Sequence, residues 1–280
     1  MAAATARHHR DAIERLRLTG ADPRTEKKGW RIKRMTVFCT DDGLAYQRSR
    51  TRFEPGRGMP LDDAYRLAHL PLVAPQSPRV IAAKAGAPYA MGRHPTAYAV
   101  VLPISADALE ASPTYQALAA DLHAAPFAHK VAWDVLAQRR DRLHATVCGG
   151  LGAEPPVIEP AARQALARLG PVMAEVRGLF SGNVNHGRLY LRIYPEQRDG
   201  LNLLHVVQRA LTRPTTDLYV VGVWNLIDAL NPLEAAALAA LVERWWSRAL
   251  LRVEASELWL LGARDDLVLD AEVSARLSLV

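Results

Sequence analysis

A histidine and a threonine two positions apart have the clearest potential for chemistry in this sequence. They are His144 and Thr146, within residues 139–150, which read RRDRLHATVCGG. On a β-strand, residues i and i+2 point to the same face, so a strand over 143–148 projects both side chains together. A histidine exchanges protons near neutral pH, and a neighbouring hydroxyl can orient a phosphate oxygen. The pattern therefore favours phosphodiester chemistry at the surface of a sheet.

A second group of polar side chains alternates along a later strand-like segment. Arg188, Tyr190 and Arg192 share one face of the segment GRLYLRI. Two guanidinium groups and a phenol on one face could bind a phosphate. The alternative is an ordinary strand surface that faces solvent, and the sequence leaves both interpretations open.

Alternating strand and helix patterns surround these residues. The sequence predicts strands over residues 96–104, 143–148, 176–180, 188–194, 218–226, 257–261 and 267–270, and helices near 61–70, from 112, over 160–169 and 201–211, and from 231 to about 247. Two helices carry clear start signals, Ser112 before Pro113 and Asn231 before Pro232 and Glu234. Strands and hairpins mixed with helices predict an α+β class with a mainly antiparallel sheet.

The first 90 residues differ in charge and pattern from the rest of the chain. They carry 17 Lys/Arg against 9 Asp/Glu, whereas the remaining 190 residues carry 18 against 20. Two alternating segments, 30–39 and 44–53, flank a Thr-Asp-Asp-Gly turn and predict a β-hairpin. We therefore expect a basic N-terminal extension over residues 1–90 and a main domain over 91–280. The basic excess could bind a polyanion or form a solvated surface.

The order of elements around His144-Ala145-Thr146 resembles the two-histidine phosphoesterase superfamily, which includes RNA 2′,3′-cyclic phosphodiesterases and 2′-5′ RNA ligase-like proteins. The resemblance covers about residues 94–275. It implies a bilobal pair of sheets in which each lobe contributes one His-x-Thr/Ser to a central cleft. One histidine then activates the attacking group, the other protonates the leaving oxygen, and the hydroxyls bind the phosphate. On this basis His144 is a general base or acid and Thr146 a phosphate ligand.

The sequence departs from that pattern at the second motif. The corresponding strand, residues 218–226, reads LYVVGVWNL and contains no histidine. Either Gly222 with Trp224 or Val223 with Asn225 would occupy the motif positions. Trp224 could stack on a nucleobase there. Catalysis by two histidines is then excluded, and each such group typically contributes about 10²–10⁴-fold in rate.

Another His-x-Thr, at residues 94–96, precedes the first predicted strand of the main domain. We interpret His94 as a loop residue at that point. The other histidines, including His129, His186 and His205, offer no stronger candidate. The acidic residues near the end, Asp265, Asp266 and Asp270, are interpreted as a solvated turn.

Composition and missing motifs exclude several classes of protein. The chain has no Walker loop, no Gly-x-Gly-x-x-Gly, no zinc-ligand spacing and no Gly-x-Ser-x-Gly elbow, so neither a metal nor a cofactor is predicted. Its two cysteines are isolated, which favours a reducing compartment. No apolar run approaches the ~20 residues of a membrane span. We therefore expect a cytoplasmic protein.

Three functional hypotheses follow from the sequence. The first is a divergent phosphoesterase that acts on or binds a phosphorylated nucleotide or an RNA end, with 2′,3′-cyclic phosphodiester hydrolysis at His144. The second is a catalytically silent module that keeps nucleotide or RNA binding without the second histidine. The third is an unrelated protein in which His-Ala-Thr occurs by chance. A second proton-transfer group near His144 would separate the first two.

Overall fold

Residues 36–280, the part of the chain that the computed structural model describes, contain ten β-strands and nine α-helices. The strands are β1 (Val37–Phe38), β2 (Arg93–Pro103), β3 (His144–Cys148), β4 (Val172–Ser181), β5 (Arg188–Arg198), β6 (Leu201–Asn202), β7 (Val220–Asn225), β8 (Ala249–Ala255), β9 (Glu257–Asp265) and β10 (Ala271–Ser278). The helices are α1 (Tyr46–Ser49), α2 (Asp63–Ala68), α3 (Leu70–Val73), α4 (Ala106–Glu110), α5 (Pro113–His123), α6 (Val135–Gln138), α7 (Pro160–Ala167), α8 (Leu203–Ala210) and α9 (Pro232–Trp245). The class is α+β, as the sequence predicts.

The strands form two antiparallel sheets. The smaller sheet has the order β10-β9-β2-β3, so β3 lies at an edge. Its pairing places Val101 opposite Thr146 and Pro103 opposite His144. The larger sheet has the path β1-β5-β4-β8, with β6 and β7 also paired to β5.

The two sheets repeat one arrangement. In each, four antiparallel strands end in a short edge strand, with the orders β10-β9-β2-β3 and β8-β4-β5-β7. Helices join each edge strand to its neighbour, α4–α6 between β2 and β3 and α8 between β5 and β7. The edge strands β3 and β7 contact each other. One hydrophobic core continues through both sheets, with Val100 and Val147 on one side and Leu191 and Val223 on the other.

Local sequence signals set the boundaries of the longest helices. The side chain of Ser112 accepts a hydrogen bond from the backbone N–H of Tyr115, which starts α5. Asn231 and Glu234 form a reciprocal capping box at the start of α9, with Pro232 in the first turn. These caps satisfy N–H groups that the helices cannot bond internally.

The N-terminal β-hairpin prediction is wrong within the described residues. Val37–Phe38 pairs with β5 and not with residues 44–53, and the latter contain helix α1. The buried Tyr46 hydroxyl donates to the backbone carbonyl of Tyr219 at 2.8 Å and accepts from the N–H of Ile193 at 3.1 Å. The apolar positions that suggest a strand are buried in the core instead, among them Cys39, Leu44 and Tyr46. Residues 30–35 of the predicted hairpin lie outside the described residues.

The chain does not divide at residue 90 as expected. Residues 36–280 form one compact unit, because Tyr46, Tyr65 and Leu70 belong to the same hydrophobic core as β5 and β7. The first 35 residues lie outside the described part. Two further differences occur near the C-terminus: β8 has no counterpart among the predicted strands, and residues 267–270 form the turn before β10 and not a strand.

Candidate functional site

A pocket of about 320 Å³ lies where the two sheets meet. The edge strand β3 contributes His144 and Thr146, and β5 contributes Arg188 and Tyr190. Further lining residues are Arg139 and Arg142 before β3, Gly222 of β7, His94 at the start of β2, Asp265 at the end of β9 and Asp266 directly after it.

The alternation of β3 brings His144 and Thr146 to the pocket. Ala145 and Val147, the residues between and after them, are buried on the opposite face. Thr146 is exposed, and its side-chain hydroxyl forms no hydrogen bond among the described residues, so the hydroxyl is available to a ligand. Gly149 and Gly150 follow the strand and also line the pocket.

His144 is held in a defined tautomer. Its Nδ1 donates to the backbone carbonyl of Arg142 at 2.7 Å, since a carbonyl oxygen only accepts. The proton of the neutral ring therefore lies on Nδ1, and Nε2 keeps a free electron pair. Burial lowers the pKa of His144 to about 4, and the charges of Arg188 and Arg139 also lower it. At neutral pH the ring is uncharged and can accept a proton at Nε2.

Arg188 occupies the space next to Gly222. Its Nη1 donates to the Nε2 of His69 at 2.9 Å and to the backbone carbonyl of Asp266 at 2.8 Å. Burial lowers the pKa of His69 well below its ordinary value, so that ring stays neutral and can accept. A Cβ at position 222 would lie 2.6 Å from the central carbon of the Arg188 guanidinium. The guanidinium thus fills the place that a side chain of β7 would take.

Arg139 and Arg142 bring two more guanidinium groups to the pocket. Arg139 is 2% exposed, and its Nη2 donates to the carbonyls of Gly222 at 2.8 Å and Val223 at 2.9 Å. Burial, together with the charge of Arg188, lowers its pKa to about 9. The Nη1 of Arg142 donates to the carbonyl of Leu269 at 3.1 Å.

None of these three arginines pairs with a carboxylate among the described residues. Their partners are backbone carbonyls and the neutral His69. The Nε atoms of Arg139 and Arg188 are buried and have no partner there. Arg139 is buried and Arg142 and Arg188 are half-buried. Because buried charges are ordinarily paired, this positive charge without a carboxylate partner favours an anionic ligand.

The two carboxylates of the pocket are engaged elsewhere. Asp265 is 1% exposed and accepts three backbone N–H bonds, from Leu267, Leu269 and Asp270, at 2.7–3.1 Å. This carboxylate organises the turn whose carbonyls hold the arginines. Asp266 accepts from the Tyr89 hydroxyl at 2.9 Å and lies 3.2 Å from the Nε2 of His94.

Two residues of the sequence-predicted set lie away from the pocket. Arg192 is fully buried, with its guanidinium 3.8 Å from the ring of Trp246 and its Nη1 3.7 Å from the carboxylate of Asp41. Trp224 is 2% exposed and stacks on Tyr115, with 5.8 Å between ring centroids. A bulge in the pairing of β5 and β7 shifts the register between them, so Gly222 lines the pocket and Trp224 turns into the core. Neither residue can contact a ligand there without rearrangement.

Sequence reasoning missed several residues of the pocket. His94 lies in β2 and not in a loop, and the His-x-Thr pattern at 94–96 was a signal for it. Arg142 and Arg139 lie two and five residues before His144, within the segment 139–150 from which His144 and Thr146 were chosen. Asp265 is not part of a solvated turn. Nothing in its sequence context indicates that its carboxylate is buried against backbone N–H groups.

The described residues contain no group of three His, Cys, Asp or Glu side chains that could hold a metal ion. Among the helices of residues 36–280, none is long and apolar enough to cross a membrane.

No protein-family model matches the chain, and no curated protein matches it. Among solved structures, the crystal structure of TT0787 of Thermus thermophilus aligns with 15% sequence identity and a TM-score of 0.33, covering 65% of this chain and 97% of that one.

Proposed function

We propose that this pocket binds the phosphate of a phosphorylated nucleotide or RNA end and that His144 is its proton-transfer group. The observation that carries the proposal is the convergence of Arg139, Arg142 and Arg188, none paired with a carboxylate in the described part of the chain, on a pocket that also holds an uncharged histidine. Guanidinium groups bind phosphate through paired, charge-assisted hydrogen bonds.

The arrangement of strands supports the resemblance to the two-histidine phosphoesterases. That family would place its two motifs on facing edge strands of two similar lobes. Here the two sheets repeat one order of strands, and their edge strands β3 and β7 are in contact. His144 and Thr146 lie on β3, and Gly222 lies on β7 at the pocket. The chain is then a divergent relative in which an arginine replaces the second histidine in space.

Hydrolysis of a 2′,3′-cyclic phosphate at this site would use His144 as the base. Water attacks phosphorus, its proton passes to the free Nε2 of His144, and the arginines stabilise the charge on the phosphoryl oxygens. The bond from phosphorus to the departing ribose oxygen then breaks, and that oxygen needs a proton. Arg188 stands where the second histidine would supply it, and an arginine keeps its proton at neutral pH. We therefore expect slow turnover or none, with binding retained.

A turnover assay on 2′,3′-cyclic nucleotides, run beside a binding titration, tests the proposal. His144→Ala should abolish any hydrolysis, while His129→Ala, at an exposed histidine outside the pocket, should behave as wild type. Binding of a nucleoside monophosphate that weakens on Arg142→Gln supports the phosphate site. Absence of nucleotide and phosphate binding by the wild type contradicts it. Rapid hydrolysis that requires His144 would show that another group supplies the second proton.

The silent binding module is the second candidate, and one observation favours it. The residues that β7 contributes to the pocket are Val220 and Gly222, and neither can exchange a proton. The basic excess of the first 90 residues is the reason to expect an RNA partner in either case. Such binding should weaken steeply with added salt. That contribution stays a prediction.

A further inference from the structure

We propose that the pocket is specific for a terminal phosphate, a phosphomonoester, and binds it more tightly than the cyclic phosphodiester of the same nucleotide. This inference rests on the proposed function and names the ligand chemistry of the same site. It concerns the number of donors and the fixed charge that the pocket presents.

The donors of the three arginines are only partly used. A guanidinium has five N–H groups. Arg188 and Arg142 make their hydrogen bonds through Nη1 alone, which leaves Nη2 and Nε of both without a partner among the described residues. Arg139 uses both Nη groups, and its buried Nε is also unpartnered. The Nη2 atoms of Arg142 and Arg188 and the Nε of Arg142 therefore remain as donors for a ligand, whereas Arg139 contributes its positive charge, since its free Nε is buried.

The two kinds of phosphate differ in how many of these donors they can satisfy. A phosphomonoester has three strongly accepting terminal oxygens and carries about −1.5 to −2 charges at pH 7. A cyclic phosphodiester has two free oxygens and one negative charge. A buried, unpartnered donor is costly, so a ligand with the third oxygen gains most where several donors are unmatched.

The position of Arg188 beside Gly222 points the same way. A proton donor at that place would assist a leaving oxygen and would suit a phosphodiester about to be cleaved. A permanent cation instead stabilises a second negative charge that does not depart. The opposing charges are Asp265, which is held by backbone N–H groups, and Asp266, which faces Tyr89 and His94. Neither carboxylate forms an ion pair with the three arginines in the described residues.

Isothermal titration of the full chain measures the preference. The ligands are a nucleoside 3′-monophosphate, its 2′,3′-cyclic counterpart and inorganic phosphate, each at pH 8 and at pH 5. At pH 8 the monophosphate should bind at least about tenfold tighter than the cyclic form. At pH 5 the preference should shrink, because the second ionisation of a phosphomonoester lies near pH 6. Inorganic phosphate distinguishes recognition of the phosphate alone from recognition of the nucleotide.

Variants assign the preference to the arginines. Arg188→Gln should reduce the ratio of the two affinities at pH 8 towards one, and Arg142→Gln serves the same purpose if the first variant does not fold. Arg276→Gln, on an exposed arginine of β10 outside the pocket, should leave the ratio unchanged. Burial lowers the pKa of His144 to about 4 and that of His69 well below its ordinary value, so both rings stay mainly neutral at pH 5 and pH 8. His94→Gln removes the remaining imidazole of the pocket, so a pH effect that persists in this variant belongs to the ligand.

The outcomes are distinguishable. Equal or tighter binding of the cyclic nucleotide at pH 8 overturns this inference and leaves the proposed phosphate site standing. Failure of all three ligands to bind overturns the proposed function itself. A preference of the expected size that Arg188→Gln and Arg142→Gln leave intact would place the selectivity elsewhere and also overturn the inference.

Discussion

Replacing Gly222 by alanine should displace Arg188 and weaken phosphate binding. The added Cβ would lie 2.6 Å from the central carbon of the guanidinium and closer still to its Nε and Nη2. Separations below 3.0 Å do not persist, so one group must move. Gly222 lies within β7 and does not have a positive φ, so an alanine at this position causes no backbone strain. The whole effect therefore falls on Arg188.

The size of the effect follows from what Arg188 gives up. Moving the guanidinium breaks its bonds to the Nε2 of His69 at 2.9 Å and to the carbonyl of Asp266 at 2.8 Å. Because the displaced atoms are the far end of a flexible side chain, the backbone need not shift, and the free energy of unfolding should fall by at most about 1.5–3 kcal/mol, the value of a hydrogen bond from a charged group. A charge-assisted bond to a ligand contributes about 1.5–3 kcal/mol, so the affinity for a nucleoside monophosphate should fall about ten- to a hundredfold.

Denaturant unfolding and a binding titration of Gly222→Ala give both quantities. Gly43→Ala is the matched control, because a Cβ at position 43 meets no atom within 4 Å. The control should change neither stability nor affinity measurably. If Gly222→Ala folds with wild-type stability and binds the nucleotide with wild-type affinity, Arg188 is not held where the structure places it and the reasoning fails.

Two other predictions concern the turn after β9 and the buried histidine. Asp265→Asn keeps one acceptor oxygen but turns an N–H donor towards the backbone N–H of Asp270, so the free energy of unfolding should fall by about 2–3 kcal/mol. Asp270→Asn is the control, because that side chain is partly exposed. In the same denaturant titration it should lower the free energy of unfolding by less than about 1 kcal/mol. Equal losses in the two variants would contradict the role given to Asp265. Because burial lowers the pKa of His144 from 6.5 to about 4, the unfolded chain binds more protons than the folded chain in this interval. The free energy of unfolding of the wild type should therefore decline as the pH falls from about 6.5 to about 4. Over that interval His144→Gln should lose about 1–3 kcal/mol less of this free energy than the wild type. Identical declines in the two proteins would show that His144 is not buried in its neutral form. His69, whose pKa is lowered in the same direction, should account for part of the decline that remains.

Strand alternation and helix caps carried most of the sequence prediction of the fold. The strand over 143–148, the capping box at Asn231 and the strand over 218–226 all appear close to their predicted positions. These signals are local, so they can be read from neighbouring residues. Over the described residues 36–53 the hairpin prediction fails because Cys39, Leu44 and Tyr46 are buried in the common core, where the Tyr46 hydroxyl bonds to the backbone of Ile193 and Tyr219 far along the chain.

The candidate site was predicted in part for the same reason. Local spacing brought out His144, Thr146, Arg188 and Tyr190, which line one pocket. Arg192 was included because it alternates with Arg188 and Tyr190, and Trp224 because the family resemblance assigns it a motif position. The bulge between β5 and β7 and the cover of Trp246 over Arg192 depend on tertiary pairing, so the sequence does not show them. The role of Asp265 depends on the turn between β9 and β10, whose backbone carbonyls accept hydrogen bonds from three arginines of other elements.

The most direct measurement is a crystal structure of the full chain soaked with a nucleoside 3′-monophosphate. We expect a phosphate in the pocket between β3 and β5, with terminal oxygens within about 3 Å of guanidinium nitrogens of Arg188 and Arg142 and of the Nε2 of His144. A nucleotide bound at another surface while this pocket contains only water would contradict the account.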